Sequence, residues 1–135
     1  MSDSFQLEIV TPEKVVVRDT AEEMQIPGKN GYLGILPGHA PLISELAVGQ
    51  ISYSSSGSRH VLSVAWGFAE VLPEKVTILA ETCERPEEID VRRAQEARQR
   101  AEERLQSNSS EIDYTRAHNA LQRAEARLQV AEKKS

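Results

Sequence analysis

The chain has 135 residues and a formal net charge of −5, enough for one small domain with an appendage. It has no apolar run long enough to span a bilayer, and its single cysteine, Cys83, excludes an internal disulfide and a multi-cysteine metal site. Residues 1–88 carry 6 basic and 13 acidic side chains, whereas residues 89–135 carry 10 and 8, and this acidic first part argues against a nucleic-acid-binding protein.

Short strands separated by turns make up the first part of the chain. Phe5, Leu7 and Ile9 alternate with polar neighbours, as in a half-buried strand. Residues 48–53 and 61–64 flank a serine- and glycine-rich turn, which predicts a hairpin. Strands of this length and spacing predict a small antiparallel sandwich or barrel.

Residues 28–43 are dense in glycine and proline. They do not form a phosphate-binding loop, because no Gly-Lys-Ser/Thr sequence ends the stretch and no helical pattern follows it. We expect tight turns and a rigid, exposed contact surface here instead, because loops on a stiff scaffold commonly carry recognition.

Catalytic and metal-binding patterns are weak throughout the sequence. The three histidines, His39, His60 and His118, lack the spacing of metal ligands, and Cys83 has no base beside it in the sequence. The serines cluster in turns without a nucleophile-elbow pattern. The sequence therefore predicts no catalytic site and no metal site. We expect a protein that is not an enzyme.

Two copies of one pattern follow, at an offset of 23 residues. Residues 89–106 are IDVRRAQEARQRAEERLQ and residues 112–129 are IDYTRAHNALQRAEARLQ. Each copy is rich in helix-forming residues after an aspartate, Asp90 or Asp113, that can cap the first turn. Residues 107–110 form a short polar linker, so the repeat predicts an antiparallel helical hairpin.

Alanine dominates the apolar face of each predicted helix. At about 100° per residue, one face of each helix collects the following positions: Ala94, Ala97, Ala101 and Leu105, then Ala117, Ala120, Leu121, Ala124, Leu128 and Ala131. Alanine buries little area, and at about 25 cal/mol per Å² such a seam holds less firmly than one of leucine. The hairpin is therefore predicted to open at low cost, and a permanently closed hairpin is the alternative.

Arginines flank this seam. Arg93 and Arg100 on the first helix face Arg123 and Arg127 on the second when the hairpin closes. Guanidinium groups that crowd together repel unless an anion lies between them, and arginine is well suited to phosphate. The alternative is that acidic neighbours at helical spacing pair with them. Those neighbours are Glu96, Glu102 and Glu125.

Residues 31–42, GYLGILPGHAPL, closely resemble the epsilon subunit of F-type ATP synthase, as do the sequence I-D-x-x-R-A at 89–94 and the alanine- and arginine-rich hairpin. The resemblance covers essentially the whole chain. It implies an α+β fold, with an N-terminal antiparallel β-sandwich of about ten strands at residues 1–86 and a C-terminal two-helix antiparallel hairpin at residues 87–135.

The family is a non-catalytic part of the central stalk of a proton-translocating enzyme. The resemblance implies binding to the gamma subunit and to the membrane ring of c subunits through Gly28, Lys29, Asn30 and His39. It also implies peripheral attachment on the cytoplasmic side of the cell inner membrane without insertion, and the first ten residues lack the features of a signal peptide.

The hairpin of this family can extend into the catalytic alpha/beta head and inhibit ATP hydrolysis. Arg116, Arg123 and Arg127 are the predicted head contacts in that state. In some bacterial members the closed hairpin binds ATP, here a possible regulatory ligand rather than a required cofactor. The positions that match the nucleotide site are Glu84, Ile89, Asp90, Arg93, Ala94, Arg100, Arg123 and Arg127. The competing hypothesis is an ATP-independent adaptor whose hairpin is fixed or purely mechanical.

Overall fold

A computed structural model of the chain describes residues 3–133, which form seven strands followed by two helices. The predicted ranges 1–86 and 87–135 include residues 1, 2, 134 and 135, which lie outside the described residues. The strands are β1 (Phe5–Val10), β2 (Val15–Ala21), β3 (Glu23–Gly28), β4 (Gly31–Ile35), β5 (Leu42–Ser55), β6 (Ser58–Val71) and β7 (Lys75–Glu84). A short 3₁₀ turn, Pro86–Glu88, leads into α1 (Val91–Gln106) and α2 (Tyr114–Ala131).

The strands pair in the order β2-β1-β7-β6-β5-β3-β4 and build the predicted β-sandwich. Every pair is antiparallel except β1 with β7, which is parallel. Seven strands are present in residues 3–133, against the approximate ten that the resemblance implies, because β5 and β6 run for 14 residues each and serve both layers. The β5–β6 hairpin matches the prediction from sequence.

A break inside β6 allows this strand to serve both layers. Trp66 has a φ of 54° and Gly67 a φ of 130°, both in the left-handed half of backbone space. A Cβ atom at Gly67 would lie 2.0 Å from the Leu79 carbonyl oxygen, so β7 can approach only a glycine at this point. Before the break the even-numbered residues Leu62 and Val64 face the core, and after it Ala69 and Val71 do.

The core lies between the two layers and is built from aliphatic side chains of alternating strand positions. Leu7, Ile9, Ile26, Ile51 and Ile78 are among those that are fully buried. Such residues favour strands because their side chains pack well on a pleated surface. The predicted alternation of Phe5, Leu7 and Ile9 is confirmed, because all three belong to this core.

The two helices form the predicted antiparallel hairpin and pack against each other and against the sheet. Asp90 and Asp113 cap them as predicted, since Oδ1 of each accepts a hydrogen bond from the backbone N–H three residues later, at 3.1 Å and 3.0 Å respectively. The main contacts of the hairpin with β5 and β6 come from α2. Within residues 3–133, neither helix is both long and apolar enough to cross a membrane.

Candidate functional site: a cleft beneath the helical hairpin

The seam between the helices is made of alanine, as the sequence predicts. Ala94 and Ala101 of α1 and Ala117 and Ala124 of α2 are almost completely buried. The other predicted seam residues are partly buried: Ala97, Leu105, Ala120, Leu121, Leu128 and Ala131. The two helices therefore approach closely while burying little apolar area.

A second face of α2 rests on the sheet, and the single apolar stripe expected from the sequence did not include it. Ala126 and Val130, four residues apart, are buried on this side. Beside them, Gln50 Nε2 of β5 donates a hydrogen bond to Gln129 Oε1 at 2.9 Å. These side chains, with the polar contacts described below, join α2 to the sandwich.

An open cleft of about 670 Å³ lies between the hairpin and strands β6 and β7. Five arginines from the two helices line it together with one lysine and four glutamates from the sandwich side. The basic residues are Arg100, Arg104, Arg116, Arg123, Arg127 and Lys14, and the acidic ones are Glu13, Glu81, Glu84 and Glu88. The helix side of the cleft is thus strongly positive and the sheet side negative.

Half of the residues predicted for nucleotide binding line this cleft. They are Glu84, Arg100, Arg123 and Arg127. The other four lie at the start of α1, outside the lining. Ile89 is buried, Asp90 caps the helix, Ala94 belongs to the seam and Arg93 is exposed to solvent.

Arg127 is the one cleft arginine that forms an ion pair within residues 3–133. Its Nε lies 2.7 Å from Glu84 Oε1, and its Nη2 donates to Glu84 Oε2 at 3.3 Å. Within residues 3–133, the cleft arginines do not pair with glutamates of their own helix, which was the alternative to phosphate binding. Glu96 and Glu102 pair instead with Arg92 and Arg98, which do not line it.

Arg123 takes an aromatic partner. Its Cζ lies 5.0 Å from the ring centroid of Trp66, within the range of a cation–π interaction. Neither this partner nor Arg104 is among the residues predicted from the sequence. Arg104 follows Arg100 by four residues, so the helical period could have placed it on the same face. No local pattern points to Trp66, because its position depends on the break in β6.

Lys14 and Glu88 also line the cleft, and Lys14 Nζ lies 2.6 Å from Glu88 Oε2. This hydrogen bond raises the pKa of Lys14 and lowers the pKa of Glu88, whose Oε1 also accepts from the Arg85 backbone N–H at 2.9 Å.

Burial raises the pKa of the Cys83 thiol to about 12, so the thiol is protonated at neutral pH and is not an activated nucleophile.

The predicted stalk contacts lie on two separate loops. Lys29 and Asn30 form the tight turn between β3, which ends at Gly28, and β4, and Lys29 Nζ pairs with Glu45 Oε2 at 3.0 Å. His39 belongs to the loop after β4, and its Nδ1 lies 2.7 Å from the Ala40 carbonyl oxygen. The two loops are at opposite ends of β4.

The outer face of the sandwich carries an apolar surface close to the β3–β4 turn. Phe68 and Leu79 lie opposite each other on β6 and β7 and are 52% and 55% exposed. They line a shallow groove together with Leu46, Lys29 and Glu45. Exposed apolar groups of this size, bordered by charged residues, are typical of contact surfaces.

In the described range 3–133, no group of three or more histidine, cysteine or acidic side chains could hold a metal ion.

Comparisons with known proteins match residues 4–132 to two domains of one family. The family model for the ATP synthase delta/epsilon chain beta-sandwich domain matches residues 4–86, and that for the delta/epsilon chain long alpha-helix domain matches residues 87–132. The ATP synthase epsilon chain of Koribacter versatilis is 71% identical over 108 residues, which cover 80% of this chain and 76% of the relative. That of Desulfosudis oleivorans is 47% identical over 108 residues, covering 79% and 81%.

A solved structure supports the same fold. A chain in the cryo-EM structure of Euglena gracilis mitochondrial ATP synthase, which contains OSCP, F1 and the c-ring, superimposes with a TM-score of 0.83. The alignment covers 98% of this chain and 83% of that chain at 22% identity. At this identity the likeness shows the arrangement of sandwich and hairpin.

Proposed function

The chain belongs to the ATP synthase delta/epsilon family, and on that premise we propose that its sandwich couples the central stalk to the membrane ring while its hairpin regulates ATP hydrolysis. The epsilon chain of ATP synthase is a structural and regulatory subunit and is not catalytic. The sandwich and the hairpin therefore carry separate parts of the proposed function.

The sandwich is the proposed docking unit for the gamma subunit and the c-ring. The exposed pair of Phe68 and Leu79 provides apolar contact area, and Lys29 and Asn30 project from the adjacent turn. Gly28 and His39 shape the two loops around β4. Such docking would hold the chain peripherally at the cytoplasmic side of the inner membrane, without insertion.

The regulatory part of the proposal depends on one observation, the alanine-rich attachment of the hairpin. Closed α2 is held by Ala126, Val130, the Gln129 hydrogen bond, the Arg127 ion pair and the Arg123–Trp66 contact, and alanines line its contact with α1. An element attached this weakly can exchange between two packings of similar free energy. In the extended packing, Arg116, Arg123 and Arg127 are the proposed contacts with acidic groups of the alpha/beta head.

ATP is the proposed ligand of the closed state. Among residues 3–133, the cleft arginines Arg100, Arg104, Arg116 and Arg123 form no ion pair, so their charges favour an anion with several phosphates. Phosphates bound there would draw α1 and α2 together and shift the population toward the closed hairpin. Ile89, Asp90, Arg93 and Ala94 are proposed members of this site through the family resemblance alone.

Calorimetry and thermal unfolding with ATP test the ligand. We expect ATP to raise the thermal midpoint of the full chain and to release measurable heat. The variant Arg100→Gln should lose most of this stabilisation. Arg98→Gln is the matched control, because Arg98 pairs with Glu102 outside the cleft. No response of the wild type at millimolar ATP would leave an ATP-independent adaptor, whereas equal stabilisation of both variants would mean that ATP binds without Arg100.

Cross-linking tests the regulation independently of ATP. In a Cys83→Ser background, Gln50→Cys and Gln129→Cys can be joined by a short bismaleimide, since their side chains meet in the closed state. In the assembled enzyme we expect the cross-linked chain to support ATP synthesis but to lose its inhibition of hydrolysis. The two single-cysteine chains are the controls. Unchanged inhibition after complete cross-linking would mean that the hairpin acts without opening.

A further inference from the structure

Trp66 has a backbone conformation that its side chain disfavours. With a φ of 54°, it is one of two non-glycine residues with a positive φ in the described part of the chain. The other is Ser56, in the exposed turn between β5 and β6, where this conformation is common. Trp66 instead lies inside the 14-residue strand β6, at the break described above. A bulky residue keeps such a conformation only where its surroundings impose it, and such residues cluster at functional sites.

The surroundings of Trp66 explain where this conformation directs the indole ring. Ser63 and Ala65, just before it, are buried but lie outside the core between the layers, on the side that α2 covers. The ring of Trp66 lies against the guanidinium of Arg123, at the middle of α2. The sandwich and the hairpin are thus joined by a cation–π contact as well as by the Arg127 ion pair.

We propose that Trp66 is a positioning residue for the hairpin, whose strained backbone presents the indole face to Arg123 and so holds α2 on the sandwich when no anion occupies the cleft. The inference rests on the proposed function only in assuming that the hairpin can undock. Arg123 lines the cleft as well. Its guanidinium can therefore stack on Trp66 or bind a phosphate, and the closed state has a favourable partner for it in either case.

Amide hydrogen exchange of the full chain without nucleotide tests this role. An exposed cation–π contact corresponds to about a two- to five-fold change in an equilibrium. We therefore expect Trp66→Leu to accelerate exchange in α2 by about this factor while exchange in β3 and β4 stays unchanged. Phe68→Leu is the matched control, because Phe68 is an aromatic residue two positions along the same strand with its side chain on the outer surface.

Trp66→Gly separates the contact from the strain. Glycine accepts a φ of 54° without steric cost, so the sandwich should remain as protected as in the wild type or become more so. Exchange in α2 should nevertheless accelerate as in Trp66→Leu. If α2 keeps its wild-type exchange rate in both variants, or if the whole chain loosens uniformly in both, the proposed role of Trp66 is wrong.

A double-mutant cycle with Arg123→Met decides whether the pair itself is responsible. Methionine retains an unbranched apolar side chain without charge, so Arg123→Met alone should also accelerate exchange in α2. Combined with Trp66→Leu it should add almost nothing, because both changes remove one contact. Strict additivity would overturn the proposal. This comparison uses no ATP and no hydrolysis assay, so its outcome is independent of whether the chain binds ATP or inhibits the enzyme.

Discussion

Glu84 and Arg127 join the last residue of β7 to α2 through two parallel hydrogen bonds, from Nε to Oε1 at 2.7 Å and from Nη2 to Oε2 at 3.3 Å. Both side chains are less than a third exposed. A two-pronged contact of this kind fixes direction as well as distance, which a single point charge cannot do. The ion pair therefore sets the orientation of α2 on the sandwich, whereas the alanines permit close approach.

Replacing Arg127 with lysine should loosen the hairpin although the charge is kept. The single ammonium nitrogen of lysine cannot reproduce two parallel hydrogen bonds from two nitrogens, so Arg127→Lys is expected to weaken the docking of α2 by about 0.5–1.5 kcal/mol. Hydrogen exchange of α2 measures this change. Arg98→Lys, at an exposed pair with Glu102, is the control and should change little. Equal effects in the two variants would contradict a directional role for Arg127.

The alanine seam predicts that added bulk between the helices will open the hairpin. Ala124 is 2% exposed, and Ala124→Leu would force α1 and α2 apart at a cost of about 1–3 kcal/mol. Helix content by circular dichroism should stay nearly constant while α1 exchanges faster. Gln122→Leu adds leucine to an exposed position of the same helix and is the matched control. If α1 exchanges in Ala124→Leu as slowly as in the wild type, the seam is less tightly packed than its burial indicates.

Gly67 is predicted to be indispensable for the sandwich. A methyl group there would clash with the Leu79 carbonyl oxygen, and its φ of 130° disfavours any side chain. We expect Gly67→Ala to lower the free energy of unfolding in urea by roughly 3 kcal/mol. Gly34→Ala is the control, since a Cβ at Gly34 in β4 would meet no atom within 4 Å. A Gly67→Ala chain of wild-type stability would mean that β6 can bend elsewhere.

The ion pair of Lys14 and Glu88 predicts a pH-dependent contribution to stability. The hydrogen bond from Lys14 lowers the pKa of Glu88 below its ordinary value of 4.5 in the folded chain. The contribution of Glu88 is therefore fully present above pH 4.5 and is lost as the pH falls through the lowered pKa. The effect should be small because about half of the Lys14 side chain and a third of the Glu88 side chain are exposed to solvent, which screens the pair.

Thermal midpoints of the wild type and Glu88→Gln, measured from neutral pH to about pH 3, test this contribution. The difference between the two chains should be constant near neutrality and shrink in acid. Lys14→Met removes the donor and should reproduce the loss seen in Glu88→Gln. A difference that grows in acid would have the wrong sign and would assign the effect to another group.

How far the sequence predicts this molecule depends on whether a feature is local. The helices, their aspartate caps and the seam follow from periodicity and from the residue types at their ends, so Asp90, Asp113 and Ala124 were placed correctly. The second buried face of α2, with Ala126 and Val130, was missed because alanine at position 126 gives no sign of burial until the helix is docked on the sheet.

The cleft was predicted only in part for the same reason. The helical period places Arg100, Arg123 and Arg127 on one side, but it cannot show that the sandwich supplies Glu84 and Trp66 as their partners. Arg93 was expected in the cluster and is exposed to solvent at the first turn of α1. Contacts between sandwich and hairpin join residues more than 40 positions apart, and no local pattern in the sequence encodes them.

ATP binding should change the emission of Trp66, the single tryptophan of the chain. If phosphates attract Arg123, the guanidinium leaves the indole ring and the environment of the fluorophore changes. We expect a saturable change in intensity or wavelength whose midpoint matches the dissociation constant from calorimetry. In Arg123→Met the emission should start at a different value and respond little to ATP. Calorimetric binding in the wild type with constant emission would mean that Arg123 stays on Trp66 and that the remaining cleft arginines hold the phosphates.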